Sequence, residues 1–168
     1  NTVIVKYERS YSADNKQVIK HAHTYMLGHE PYQVATVIKH FPGHGSSTVD
    51  THKGVADVSN TWQLEELYPY IELIKTGKVR GIMSAHIVNR TLDESLLPAT
   101  LSKKIITGLL REQLGYEGVI FTDDMHMGAI AKNYGTTEAV TLAIQADVDV
   151  LMFSNNIFDD EVISAESL

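Results

Sequence analysis

Four short apolar runs rich in β-branched residues constrain the fold of this chain more than any other feature. They are 33–38 (QVATVI), 81–88 (GIMSAHIV), 118–121 (GVIF) and 149–153 (DVLMF). The runs are nearly continuous in apolar character rather than alternating, so they predict strands that are buried on both faces, as in parallel sheets. Helical spacings of apolar residues separate them. This order predicts an α/β fold with a parallel sheet.

Start and stop signals accompany the helical spacings. Asp14 with Gln17 three residues later resembles a capping box, and Tyr25 and Met26 close the apolar face that follows. The predicted helices and their signals are 18–26 behind Asp14, 64–74 behind Asn60 or Thr61, 105–114 between Ser102 and Gly115, and 138–146 behind Thr136 or Thr137.

The length of the chain limits how much of an α/β domain it can form. An open doubly wound sheet and a segment of a (β/α)8 barrel both fit the order of elements. A complete barrel needs roughly 250 residues, and four strands in 168 residues make about half of one. We therefore expect a single domain over 1–168, without internal repeats or linkers.

Composition excludes several classes of function. The net charge of −7 argues against binding to nucleic acid or to an anionic membrane. No apolar run approaches the roughly 20 residues that cross a bilayer. The chain has no cysteine, so disulfide and thiolate chemistry are excluded. The first twelve residues do not resemble a signal peptide, and since no initiator Met is present we expect the interior of a longer chain.

Polar residues follow each predicted strand, and parallel strands bring their carboxyl ends to one face. We expect this convergence to form an enzyme site. The polar residues are Lys39 and His40 after the first strand, Ser84, His86, Asn89 and Arg90 in and after the second, Asp123, Asp124 and His126 after the third, and 154–156 after the fourth.

The segment KHFPGHGSSTVDTH (39–52) concentrates titratable side chains on one glycine-rich loop. Asp50 can accept a hydrogen bond from one ring nitrogen of His52, which leaves the other nitrogen to exchange a proton with a substrate. An unperturbed histidine pKa of about 6.5 suits that work near neutral pH. The alternative interpretation is an exposed loop with an incidental pair.

Three further groups of residues keep alternative interpretations open. Asp123 and Asp124 could supply a nucleophile or a metal ligand, or one of them could cap the next helix. Lys39 could meet a ligand hydroxyl or extend to the rim of the sheet. A cluster of His40, His44 and His52 could bind a metal, but no ligand motif with metal spacing occurs, so we expect neither metal nor cofactor.

The runs KHFPGHGSSTVDTH, IMSAHI and FTDDMHMGAI resemble the β-N-acetylglucosaminidase branch of glycoside hydrolase family 3. Members of that branch share a segment that begins with KHFPGHG and ends with Asp, then Ser or Thr, then His. A TDD-like segment follows later in their chains. The resemblance covers roughly residues 7–156. It implies the second half of a (β/α)8 barrel and retaining hydrolysis of terminal β-linked N-acetylglucosamine, with no cofactor and an amino-sugar glycoside as substrate.

The resemblance also implies roles for named residues. Asp123 corresponds to the nucleophile, whereas Asp124 falls at a variable position. Asp50 and His52 correspond to an Asp–His acid/base dyad. The residues that correspond to sugar contacts are Lys39, His40, Arg9 in the shorter match ERSYS, and Met83.

The family's opening barrel strands have no counterpart here, and the helix after the last strand is expected to stop early. We therefore expect residues 1–168 alone to have little activity and to need a complementing barrel half or a second copy. The family implies a role in bacterial peptidoglycan recycling or amino-sugar degradation, with a cytoplasmic location expected first and a periplasmic or envelope-anchored one second. Rival hypotheses are a sugar-binding protein or inactive fragment without turnover, a family 3 β-glucosidase, and a phosphorolytic hexosaminidase.

Overall fold

The computed structural model describes residues 2–48, 51 and 54–154. Its strands are β1 Val37–Phe41, β2 Ala56–Asp57, β3 Gly81–Ser84, β4 Ile87–Val88, β5 Val119–Asp124 and β6 Val150–Met152. The main sheet has the order β1–β3–β5–β6, and all of its neighbouring strands are parallel. The short strands β2 and β4 form a separate parallel pair. The predicted α/β fold with a parallel sheet is confirmed.

Helices precede the first strand of the main sheet and connect its successive strands. They are α1 Val3–Lys6, α2 Asn15–His29, α3 Tyr68–Lys75, a π-helix over Lys104–Gln113, α4 Gly128–Ala131 and α5 Thr136–Gln145. Single 3-10 turns lie at Glu30–Tyr32, Leu64–Leu67 and Ala99–Leu101. Within the part of the chain that the structure describes, no helix combines the length and the apolar character that crossing a membrane requires.

One face of the main sheet is covered by helices, and the opposite face is open. Ile82 and Ile120 are fully buried in the core against the helices. Val37, Val119 and Met152 lie next to buried or half-buried strand residues and are themselves 39%, 41% and 41% exposed. The prediction that these strands are buried on both faces is therefore wrong for the described residues. The apolar runs are continuous because both faces of these strands are apolar, although helices cover only one of the two faces.

Several predicted element ends are confirmed by hydrogen bonds. The Asp14 carboxylate accepts the amide of Lys16 at 2.9 Å, at the start of α2. The Ser102 hydroxyl accepts the amide of Ile105 at 3.1 Å, at the start of the π-helix. Gly115 follows that helix with a φ of +65°, a conformation that favours glycine.

Other predicted boundaries are wrong. The first strand begins at Val37 rather than at 33, and the run 81–88 divides into β3 and β4 around a turn. Gln63, not Asn60 or Thr61, caps the turn before α3, because its side chain and that of Glu66 form a reciprocal capping box. Gly135 rather than a threonine precedes α5. Tyr25 is exposed, because the buried stripe of α2 centres on Met26.

Arg111 of the π-helix holds the starts of β5 and β6 together. Its guanidinium donates to the carbonyl of Gly118 at 2.6 Å and to Asp149 at 2.7 Å. The same Asp149 oxygen accepts the amide of Ile120 at 2.7 Å. The fork of donors on one planar group therefore fixes both strands in register. That register determines where β5 delivers its terminal carboxylates.

Candidate active site

A cavity of about 220 Å³ lies at the carboxyl ends of the main strands. This is the face on which parallel α/β sheets place ligands. Its lining is mixed, with four cationic or imidazole side chains, two carboxylates and two hydroxyl groups among apolar residues. The lining residues are Val3, Ile4, Arg9, Lys39, His40, His44, Thr51, Asp123, Asp124, Met127 and Ser154.

The two adjacent carboxylates at the end of β5 differ in how their oxygens are bound. Asp124 accepts the amides of His126 and Ser154 on one oxygen, each at 3.0 Å, and the Ser154 hydroxyl on the other. Asp123 accepts the amide of Asp124 on Oδ1 at 2.9 Å. Its Oδ2 faces His40 across the cavity. Asp124 therefore ties the loop after β5 to the end of β6, and Asp123 presents an oxygen to the cavity.

Hydrogen bonding also determines the charge of Asp124. Burial alone would raise the pKa of this carboxyl, but the hydrogen bonds from Ser154 and His126 outweigh burial and hold the pKa below its usual value. Asp124 is consequently ionised and engaged at neutral pH. Of the roles that the sequence left open for this pair, the helix cap is wrong for Asp124, because Met127 precedes α4 and no side chain caps it. Asp124 instead joins the loop after β5 to Ser154.

His40 faces Asp123 from the end of β1. The distance from His40 Nε2 to Asp123 Oδ2 is 3.6 Å, which is too long for a hydrogen bond. Burial lowers the pKa of His40 to about 3, although the charge of Asp123 opposes that shift. At neutral pH the His40 imidazole is thus uncharged. The two side chains are in van der Waals contact and both line the cavity, so a polar ligand group in the cavity can approach both.

The loop after β1 is anchored at its base by two side chains. The Trp62 indole donates to the carbonyl of Pro42 at 3.2 Å, and Glu66 accepts the amide of Gly45 at 3.0 Å. Gly43 has a φ of +125°, and a Cβ there would lie 2.7 Å from Cβ of Glu66. Glycine is therefore required for both conformation and space. The anchor turns the chain so that His44 enters the cavity wall.

Thr51 connects the distal part of this loop to the segment after β5. Its carbonyl accepts the amide of Ala129 at 3.1 Å, and its hydroxyl lies 3.4 Å from His44 Nε2. The residue is 4% exposed and lines the cavity with Asp123. Asp50 and His52, the predicted acid/base pair on either side of Thr51, lie outside the described residues.

The structure brings together most of the other predicted site residues. Arg9, Lys39 and His40 line the same cavity as Asp123. Met83 does not line it. This residue is half-buried in β3, at the level of Lys39 and Phe121 in the sheet register. Among the residues that the structure describes, no group of three or more metal-ligating side chains is arranged to hold an ion.

The chain was compared with known protein families. The profile described as "Glycosyl hydrolase family 3 N terminal domain" matches residues 4–165. The chain belongs to this family. Its sheet and loops therefore match a glycosidase domain, and the resemblance inferred from the KHFPGHG and FTDD segments is confirmed.

Individual relatives agree with the family. A protein named beta-hexosaminidase from Tolumonas auensis is 36% identical over 152 residues, which cover 89% of this chain and 45% of the relative. A glycoside hydrolase family 3 beta-N-acetylglucosaminidase structure from Paenibacillus sp. has a TM-score of 0.81 and 37% identity, covering 86% of this chain and 28% of that one. A beta-N-acetylhexosaminidase structure from Beutenbergia cavernae has a TM-score of 0.85 and 30% identity, covering 92% and 46%.

The chain thus spans less than half the length of these relatives. Its four-stranded parallel sheet corresponds to part of a family 3 barrel domain. The face of the sheet that carries Asp123 is the open, apolar one, because Asp123 and Phe121 alternate with the buried Ile120 and Thr122.

Sequence reasoning missed several residues of this family 3 site. Thr51, Glu66 and Trp62 position the loop through single hydrogen bonds that no periodicity reveals. His86 was noted only as a polar residue near a strand, but it is fully buried and contacts the backbone of Asp124. The position of His86 inside an apolar run could have indicated a buried, hydrogen-bonded role, because buried polar groups are nearly always hydrogen-bonded.

We predict that His40 makes the protein less stable in acid. The folded-state pKa of about 3 lies below the unfolded value of 6.5, so the unfolded chain binds the extra proton as pH falls. This contribution to stability is complete above pH 6.5 and is lost towards pH 3. In His40→Gln, we expect the fall in the free energy of unfolding between pH 6.5 and 4.5 to shrink by about 2 kcal/mol.

Urea unfolding at both pH values measures this difference. His21→Gln, at an exposed histidine of α2, is the matched control and should follow the wild type. Equal acid sensitivity in His40→Gln and the wild type would contradict the assignment of a neutral, buried His40.

Proposed function

We propose that the protein removes terminal β-linked N-acetylglucosamine, or a related N-acetylhexosamine, by hydrolysis with retention. The observation that carries this proposal is the different hydrogen bonding of the two carboxylates at the end of β5. Both oxygens of Asp124 accept hydrogen bonds, whereas Asp123 presents Oδ2 to a cavity beside a neutral His40. A carboxylate with one fixed oxygen and one accessible oxygen is suited to attack a sugar carbon. The names of the relatives supply the choice of sugar.

The proposed reaction has two displacement steps. Asp123 Oδ2 attacks the anomeric carbon while the glycosidic C–O bond breaks and His52 gives its proton to the leaving oxygen. A water molecule then attacks the same carbon, gives a proton to His52 and releases Asp123 as a carboxylate. Asp50 orients the imidazole and stabilises its cationic form between the steps.

The anchoring of Thr51 supports a proton donor at this position in the chain. Thr51 stands between Asp50 and His52 in the sequence, is buried at the cavity wall and is held to Ala129 by its carbonyl. The one described residue of this segment is therefore fixed at the cavity wall, and both members of the proposed dyad are its neighbours in the sequence.

The cationic side chains of the cavity support a sugar ligand. Lys39 and Arg9 line the cavity beside Asp123 and are exposed to solvent. We assign them, with His40, to the sugar hydroxyls, which accept hydrogen bonds from such donors. Met83 is assigned to the adjoining wall of the sugar site, at the level of Lys39 in the sheet register.

The open face of the main sheet supports a further part of this proposal. Val37, Val119 and Met152 expose apolar surface on the face that carries Asp123, and the relatives extend well beyond the region matched by this chain. We propose that additional barrel strands cover this face and complete the sugar site. We further propose a role in peptidoglycan recycling or amino-sugar degradation, in the cytoplasm.

Nucleophile substitution tests the proposed reaction. In the full protein, Asp123→Asn should lower kcat for a nitrophenyl N-acetyl-β-glucosaminide by roughly 10⁴-fold or more, because the attacking group is lost. Asp124→Asn is the matched control. It keeps an oxygen that accepts the amides of His126 and Ser154, and we expect it to retain activity within about tenfold.

The products distinguish the rival functions. Release of free N-acetylglucosamine at the same rate with and without phosphate supports hydrolysis, whereas a sugar phosphate identifies a phosphorylase. A faster reaction on the corresponding β-glucoside indicates a β-glucosidase. Binding of N-acetylglucosamine without turnover in the full protein would contradict an enzymatic role.

Complementation tests the proposed cover of the open face. The 168-residue chain alone should bind a hydrophobic dye and turn over little substrate. Adding the preceding barrel segment of the Tolumonas auensis relative should reduce dye binding and raise turnover by at least about tenfold, because the apolar face and the sugar site are completed together. Val119→Lys, on the open face at the start of β5, should block the gain. Full activity of the 168-residue chain as a monomer of verified mass would contradict the proposal. If this chain is active only at concentrations at which it dimerises, a second copy covers the open face and additional barrel strands do not.

A further inference from the structure

A buried histidine lies behind the cavity and joins three segments of the chain. His86, in the turn between β3 and β4, is fully buried and does not line the cavity. Its Nε2 lies 2.9 Å from the carbonyl oxygen of Asp124, and its Nδ1 lies 2.9 Å from the hydroxyl of Thr100. The imidazole therefore bridges the end of β5 and the 3-10 turn at Ala99–Leu101.

The partners of His86 determine where its proton lies. A carbonyl oxygen only accepts hydrogen bonds, so Nε2 must carry a hydrogen to bind Asp124. Burial lowers the pKa of His86 despite the nearby charges of Asp123 and Asp124, so the ring is neutral. Nδ1 then carries no hydrogen and acts as an acceptor, and it shares the single hydrogen of the Thr100 hydroxyl with the carbonyl of Ala85, 3.0 Å from the same oxygen. The Ser84 hydroxyl, 2.8 Å from the Thr100 oxygen, extends this network into β3.

The network reaches Asp123 through one residue. The Asp124 carbonyl is held by His86, and the next amide, that of Met125, donates to the carbonyl of Met152 at 2.8 Å. The N–H of Asp124 belongs to the preceding peptide, which joins this fixed plane at the Asp124 Cα, where hydrogen bonds from the amides of His126 and Ser154 also hold the side chain. That N–H donates to Asp123 Oδ1 at 2.9 Å. Oδ1 is thereby held back, and Oδ2 faces His40.

We propose that His86 is a positioning residue for Asp123, acting as an Nε2–H imidazole that fixes the peptide after Asp124 and thus the orientation of the Asp123 carboxylate. The proposal rests on the proposed function, in which Asp123 is the nucleophile. His86 does not touch the sugar. Its loss therefore affects the chemical step and leaves ground-state binding of the substrate nearly unchanged.

Two substitutions at one position separate the donor from the volume of the side chain. His86→Leu fills the space but leaves the Asp124 carbonyl buried without a partner. His86→Gln places an amide N–H near the position of Nε2. In the full protein we expect His86→Leu to lower kcat on the order of 100-fold with KM within about threefold, and His86→Gln to remain within about tenfold of wild type.

Controls separate positioning from stability. Leu110→Ala makes a cavity in the core at a residue that does not line the site, and it should lower Tm without lowering kcat in the folded protein. His21→Gln repeats the chemical change at an exposed histidine. The proposal is overturned if His86→Leu keeps the wild-type kcat, if His86→Gln loses as much as His86→Leu, or if Leu110→Ala loses kcat to the same degree.

Nitrogen NMR of histidine-labelled protein tests the same proposal without catalysis. The resonances that disappear in His86→Gln belong to His86, and they should report a neutral ring protonated on Nε2 at pH 7. A hydrogen on Nδ1, or a cationic ring, would overturn the proposal whatever the enzymatic activity. A wild-type protein that shows this tautomer but no glycosidase turnover would contradict the proposed function and not the hydrogen-bond network.

Discussion

The hydrogen bonds at the end of β5 are the constraint on which the site depends. Two adjacent carboxylates would repel each other and compete for the same cation if both were free. Here Asp124 is saturated by donors from His126 and Ser154, which also close the loop onto the end of β6. That arrangement leaves Asp123 as the carboxylate with an oxygen towards the cavity. The same backbone supports both, so the hydrogen bonds of Asp124 also fix the position of Asp123, the proposed nucleophile.

The scaffold explains why these groups meet. Arg111 fixes the starts of β5 and β6 relative to each other. Because the strands are parallel and in register, the polar residues at their carboxyl ends lie along one edge of the sheet. Glu66 and Trp62 turn the loop after β1 back across the same edge. Rigid strands and anchored loops together hold catalytic groups with the small positional error that catalysis requires.

Much of this organisation could be predicted from the sequence, because its signals are local. Apolar runs, the Asp14 and Ser102 caps and the Gly115 stop are read from neighbouring residues, and the KHFPGHG and FTDD segments indicate the family. The hydrogen bonds of Thr51 to Ala129 and of His86 to Asp124 join residues far apart in the chain, so no spacing predicts them. The open face of the sheet was also missed, because apolar runs do not reveal what covers them.

The most direct test of the account is covalent capture of the glycosyl-enzyme. A 5-fluorinated N-acetylglucosaminyl fluoride carries a good leaving group, and its fluorine slows hydrolysis of the intermediate by destabilising the oxocarbenium-like transition state. After incubation with the full protein, intact mass and peptide fragmentation locate the sugar. The account predicts one sugar per chain, attached to Asp123. A sugar on Asp124, or turnover of the reagent without any adduct, would contradict it.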